Sequence, residues 1–144
     1  MVLPDVNVLI YAHRTESPEH QAYARWLTDL AVGREPFGLS ELVLFGVVRI
    51  VTNPRIFKTP TPPATAMAFA RSLLDRPRGV RLRPGPRHFE IFDDLCTRTG
   101  ATGKLVADAY HAALAIEHGC EWISTDADFG RFPGLRWRHP LRPS

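Results

Sequence analysis

Four acidic residues stand far apart in the chain, and each opens or interrupts an apolar stretch: Asp5, Glu41, Asp108 and Asp126, with Asp128 close behind. A carboxylate buried among Val, Leu, Ile and Ala costs several kcal/mol unless it is paired, so a chain that repeats the arrangement needs a cation to receive them. Clustered carboxylates also repel one another and drive each other's pKa upward. A hard divalent ion removes that conflict. Mg²⁺ prefers oxygen ligands, keeps several waters and takes one or two carboxylates plus substrate phosphate, and Mn²⁺ is a possible substitute. With a phosphodiester in place, such an ion lowers the pKa of an attacking water and offsets charge on the leaving oxygen. The expected products carry 5′-phosphate and 3′-hydroxyl ends.

For the acids to meet, the elements carrying them must share one rim. Residues 2–9 (VLPDVNVL) read as a Val-rich central parallel strand with Asp5 near its end. Ser17 and Pro18 read as an N-cap and first helical residue of a crossover helix reaching Gly33. Residues 36–40 suggest a second strand, and Ser40 is placed to cap a helix over 41–51, with Glu41 in its first turn. Four prolines in 53–63 mark a loop, and 64–74 is amphipathic at helical spacing. Residues 80–83 suggest a third strand and 86–98 a helix, with Asp93 and Asp94 on its solvated face.

Residues 104–118 (KLVADAYHAALAIEH) form the strongest helical pattern, closed by Gly119 and carrying Asp108 one turn in. A fourth strand is expected at 121–124, followed by Thr125 and Asp126, and a short fifth at 135–138. Strand and helix alternate, which predicts one α/β domain over 1–144: a central, mostly parallel, twisted sheet of about four to five strands flanked by helices. Ligands of such sheets bind beyond the carboxyl ends of the strands. Asp5 and Asp126 stand at such ends, and Glu41 and Asp108 can reach the same rim.

Composition narrows the class. A chain of 144 residues that is 44% hydrophobic buries enough surface to hold a core without staples. Cys96 and Cys120 are too few for a disulfide framework and lack zinc-site spacing. Asp5 splits the apolar opening and no basic segment precedes it, and no run approaches the length of a membrane span, so a cytoplasmic protein is expected. Net charge is only +3, yet setting the five acids aside from the 15 present leaves 10 against 18 basic residues, 16 of them Arg. Arg suits phosphate and stacks on bases, so a nucleic-acid partner is expected, with Arg49, Lys104, His111, Arg131 and Arg136 as candidate contacts. The three Trp are expected in the core.

The segments PDVNVLIYA, SELVLFGVVRIVTNP, LVADAYHAALAIEHG and ISTDADF, in this order, resemble a PIN domain, and more narrowly the VapC-type toxins of bacterial toxin–antitoxin pairs. The resemblance places the family's acidic quartet on Asp5, Glu41, Asp108 and Asp126, with Asp128 as an auxiliary acid. It places supporting polar residues on Asn7 and Thr125, where they orient ligands from behind. It implies a ribonuclease dependent on Mg²⁺ or Mn²⁺, a homodimer with two acidic pockets along one groove, and a cognate antitoxin that blocks the acidic site. RNA substrates of such toxins are tRNA anticodon arms or an exposed ribosomal RNA loop. Two other readings are a structure-specific DNA nuclease, which usually carries more acids, and a non-catalytic binding or scaffold module, which the intact quartet disfavours. An aspartyl phosphatase needs a second acid two residues after the first, where this chain has Asn7.

Overall fold

The computed structural model describes residues 1–142. Its elements, in chain order, are β1 (Val2–Pro4), α1 (Val6–His13), α2 (His20–Val32), β2 (Phe37–Ser40), α3 (Glu41–Val51), α4 (Pro63–Leu74), β3 (Gly79–Leu82), α5 (His88–Thr99), α6 (Lys104–Glu117), β4 (Glu121–Ile123) and β5 (Trp137–Arg138). A 3-10 turn, Ala127–Arg131, separates the last two strands.

All strand pairs are parallel. β1 pairs with β4 and β4 with β5, while β2 pairs with β3. The two groups meet where β2 runs against β1: a Cβ added at Gly38 would lie 3.2 Å from Leu3 Cδ1 and 3.4 Å from the Val2 carbonyl oxygen. The core gathers Leu3, Phe37, Leu39, Val43, Val47, Leu95 and Trp122. Trp122 is fully buried, and Trp26 and Trp137 are half-buried against the core.

Gly38 has no room for a side chain, since that added Cβ would also stand 2.7 Å from Leu82 Cδ1. Gly38→Ala is therefore expected to cost about 1–3 kcal/mol, the usual penalty of overpacking. Urea unfolding tests this, and a wild-type midpoint would mean that the strands part without cost.

The first strand is shorter than its sequence suggests. It ends at Pro4, and the apolar residues that follow belong to α1, not to a strand over 2–9. Asp5 takes extended backbone angles, and its Oδ1 accepts from the Val6 N–H at 2.6 Å, so it caps a helix at the point where a strand continuation was expected. A short Val-rich run does not by itself distinguish the two. Ending the strand at Pro4 is what puts Asp5 at its carboxyl end.

Ser17 and Pro18 do not start the second helix. The Ser17 N–H donates to the Arg14 carbonyl and the His20 N–H to the Ser17 carbonyl, so this serine is spent on a turn. Glu19 then adopts a left-handed conformation (φ 56°) and α2 begins at His20. Other boundaries shift by a few residues: β3 begins at Gly79, α5 at His88, and β4 ends before Ser124. Among the described residues no helix is long and apolar enough to cross a membrane.

Candidate active site

Asp5 is the best-fixed acid. Only 6% exposed, it sits between β1 and α1, and besides its capping bond its Oδ2 accepts from Ser124 Oγ at 2.7 Å. Burial pushes its carboxyl up to about 6, and the negative charges of Asp108 and Asp126 push the same way. The Ser124 and Val6 hydrogen bonds oppose them in part.

Ser124, just past β4, joins the two strand ends. Its Oγ also accepts from the Asp126 N–H at 3.0 Å, and Asn7 Nδ2 approaches both Ser124 Oγ and Asp5 Oδ2 at 3.4 Å. Asn7 Oδ1 in turn accepts from the Thr125 N–H at 3.3 Å. Asn7 thus links the start of α1 to the end of β4. The link expected of the Thr125 side chain is instead made by its backbone, and the hydroxyl that ties the acids together belongs to Ser124, which sequence reasoning passed over as a strand residue. Asp126 Oδ1 accepts from the Asp128 N–H at 2.9 Å and so caps the following 3-10 turn, while the exposed Asp128 side chain points to no partner among these contacts.

Ser124→Ala is expected to destabilise the fold by about 1–3 kcal/mol, because Asp5 Oδ2 and the Asp126 N–H lose a shared partner in a poorly solvated position. Thr125→Ala is expected to cost under about 1 kcal/mol, since only its backbone is used. Equal losses in parallel urea unfolding curves would contradict this division of labour.

Asp108 lies one turn into the Ala-rich α6, buried, with 11% of its side chain exposed. Its Oδ2 accepts from Lys104 Nζ at 2.8 Å, and the same ammonium donates to Asp126 Oδ2 at 2.8 Å. Burial raises the Asp126 carboxyl, but the bonds from Lys104 and the Asp128 N–H outweigh it and hold the group below its usual value. Bonds to Asp108 and then Asp126 raise the Lys104 ammonium above the ordinary lysine range.

Asp5, Asp108 and Asp126 line one cleft of about 810 Å³, together with Asn7, Lys104, Arg49 and His111 and an apolar wall that includes Leu42, Phe45 and Phe92. Glu41 is not among them. It lines an adjoining hollow of about 390 Å³, which shares Leu42, Tyr110 and His111 with the first. There Arg83 donates to both carboxylate oxygens, at 2.9 and 3.2 Å, and Arg81 stands 3.7 Å away. The Arg83 bond lowers the Glu41 carboxyl. Three of the four acids are thus brought together, and the fourth is held beside them by an arginine from β3's end.

His111 stacks on Trp122, centroids 5.4 Å apart, with its Nδ1 buried and unpartnered, and burial lowers its pKa. Arg131 and Arg136 do not line the cleft. Arg136 instead donates to the Gly119 carbonyl at 2.7 Å. Asp93 and Asp94 are exposed on α5, and Asp94 pairs with Arg98 at 3.5 Å. Cys96 and Cys120 are free thiols.

The donor set fits a hard cation. Three carboxylates face one cleft, one of them is raised by burial and by its two neighbours, and a lysine ammonium already spans the other two. Among the described residues no three His, Cys, Asp or Glu side chains stand close enough to hold an ion by themselves.

Comparison with known proteins identifies the family. The PIN domain family matches residues 2–135. The chain is 48% identical over 141 residues to Ribonuclease VapC43 of Mycobacterium tuberculosis, covering 98% of this chain and 96% of that protein. It is 40% identical over 140 residues to Ribonuclease VapC25 of the same organism, covering 97% and 99%. Among solved structures, VapBC2 of Rickettsia felis, bound to a DNA fragment from its promoter, superposes with TM-score 0.69 at 18% identity, covering 96% and 98%. M. tuberculosis VapC20, described as a sarcin-ricin loop cleaving toxin, superposes with TM-score 0.64 at 17% identity, covering 94% and 99%. With the family matched over residues 2–135 and relatives 48% and 40% identical along nearly their whole length, this protein belongs to the PIN domain family.

Proposed function

We propose that this chain is an endoribonuclease dependent on Mg²⁺ or Mn²⁺ and the toxin of a toxin–antitoxin pair. The observation that carries the reading is the convergence of Asp5, Asp108 and Asp126 on one open cleft from three distant elements. The curated relatives named ribonucleases, matched at 48% and 40% identity along nearly their whole length, support it.

Asp5 and Asp108 would hold the ion, with Asp126 positioned to hold it or a water of its shell. When bound, the ion supplies an activated water and charge stabilisation at the leaving oxygen. The rest is done by the chain. Ser124 and the Val6 N–H fix Asp5 in one orientation. Asn7 ties the end of β4 to the start of α1. Arg49, on the cleft wall, offers its guanidinium to the RNA backbone, and the half-buried ring of Phe92 across the cleft suits a splayed base. Glu41 serves the site only after release from Arg83, whose guanidinium then faces the RNA.

Exposed Leu42 and Phe45 on α3 and Phe89 on α5 form apolar surface suited to a second copy of the chain. The antitoxin would insert a cationic side chain among the three acids, in the cytoplasm where both are made. Induction in a bacterial host tests the reading: growth arrest and new RNA ends bearing 5′-phosphate are expected from the wild type and from neither Asp126→Asn nor an uninduced culture. Arrest undiminished by Asp126→Asn would contradict it.

A further inference from the structure

Lys104 occupies a position that its helix does not favour. It is the first residue of α6, where the helix dipole is positive, and α6 has no side-chain cap to offset it. An i,i+4 pair with the cation on the N-terminal side is also the weaker orientation. Helix energetics therefore do not account for a lysine here. The acids do: its ammonium bridges Asp108 and Asp126, which lie on different elements, with 2.8 Å to each.

The bridge is built to open. The Lys104 side chain is 69% exposed, so its flexible stem leaves the pair without disturbing the core. Gly103 precedes it at φ 57° and ψ −125°, a conformation costly for any other residue, which sets where α6 starts and so where the ammonium reaches. Both Asp126 oxygens are engaged, Oδ1 by the Asp128 N–H and Oδ2 by Lys104. A dication taking Asp108 and Asp126 meets the ammonium at the same oxygens, and the two positive charges repel across a few ångströms. The displaced Lys104 remains tethered at the mouth of the cleft that Arg49 also lines.

We propose that Lys104 is the resident counter-ion of Asp108 and Asp126, that a divalent metal displaces it, and that the released ammonium takes a phosphate oxygen of the bound RNA. The proposal rests on the metal-dependent nuclease reading above. It makes Lys104 a positioning residue whose RNA contact exists only once metal is bound, and it makes the metal-free toxin a weaker binder of metal than its acids alone would be.

The test uses full-length protein, wild type and Lys104→Met, with Lys104→Arg as the charge-retaining control. Calorimetric titration with Mn²⁺ should show Lys104→Met binding the ion at least about fivefold more tightly than wild type, with Lys104→Arg near wild type. Affinity for a fluorescent single-stranded RNA is then measured in EDTA and in Ca²⁺. Wild type should gain affinity on adding Ca²⁺, and Lys104→Met should lose most of that gain while staying within about twofold of wild type in EDTA, because there Lys104 is occupied by the acids. Equal Mn²⁺ affinities in variants that melt like wild type would overturn the counter-ion role, and an unchanged Ca²⁺ gain would overturn the transfer to phosphate. A folded wild type that binds no Mn²⁺ and cuts no RNA would instead remove the nuclease reading, and the inference with it.

Discussion

Asp108→Asn is expected to lower RNA cleavage by about a thousandfold or more, since an ion held by one fewer charged ligand loses several kcal/mol of transition-state stabilisation. The substitution keeps the shape of a side chain that is 11% exposed, one turn into an Ala-rich helix. Its oxygen can still accept from Lys104, and Lys104 retains Asp126. The fold should therefore survive, with a melting temperature within a few degrees of wild type, and the metal-free protein loses one of three mutually repelling carboxylates. Single-turnover cleavage of an RNA substrate with Mn²⁺, beside a thermal melt, separates the two effects. Loss of both activity and cooperative melting would make Asp108 a folding residue, and wild-type cleavage would remove it from the site.

Asp5→Asn should also abolish cleavage, and in addition it should change how metal-free stability depends on pH. The Asp5 carboxyl rises from 3.8 to about 6 on folding, chiefly through burial. The folded chain thus keeps this proton to higher pH than the unfolded chain, so between about pH 4 and 6 the native state binds more protons and stability falls as pH rises. By pH 7 the deficit reaches about 3 kcal/mol, at roughly 1.4 kcal/mol per pH unit. Asparagine cannot ionise and still offers an oxygen to the Val6 N–H. The advantage of Asp5→Asn over wild type in EDTA should accordingly grow from near zero at pH 4 to about 3 kcal/mol at pH 7. Adding Mg²⁺ or Mn²⁺ should stabilise wild type and narrow the gap. Urea unfolding at three pH values measures it, and a gap independent of pH would mean that Asp5 is ionised at no cost in the folded protein.

Much of this site is legible in the sequence because acids within apolar runs have few structural uses. Asp126 follows its strand in either reading, whereas Asp5 reaches the rim because the first strand stops at Pro4 and does not run on to residue 9. What sequence could not supply were the pairings made across the fold. Arg83 is 42 residues from Glu41, and nothing in either segment indicates that this arginine draws the fourth acid toward a separate hollow. Ser124 and Thr125 are adjacent and chemically alike, and only the register of β4 against β1 decides which hydroxyl faces Asp5. Lys104 reads as a basic residue at a helix start, a fair RNA contact. Its bridge to Asp126 depends on where β4 ends beside α6.

The central claim is that the cleft of Asp5, Asp108 and Asp126 cuts RNA with a divalent metal. Its most direct test is incubation of total cellular RNA with purified, antitoxin-free protein in Mg²⁺, Mn²⁺ or EDTA, with the new ends mapped by sequencing. Discrete cuts that appear only with metal and carry 5′-phosphate are the predicted result, and they would identify the substrate. Cuts that persist undiminished in EDTA, or no cuts from folded protein under any metal, would contradict it.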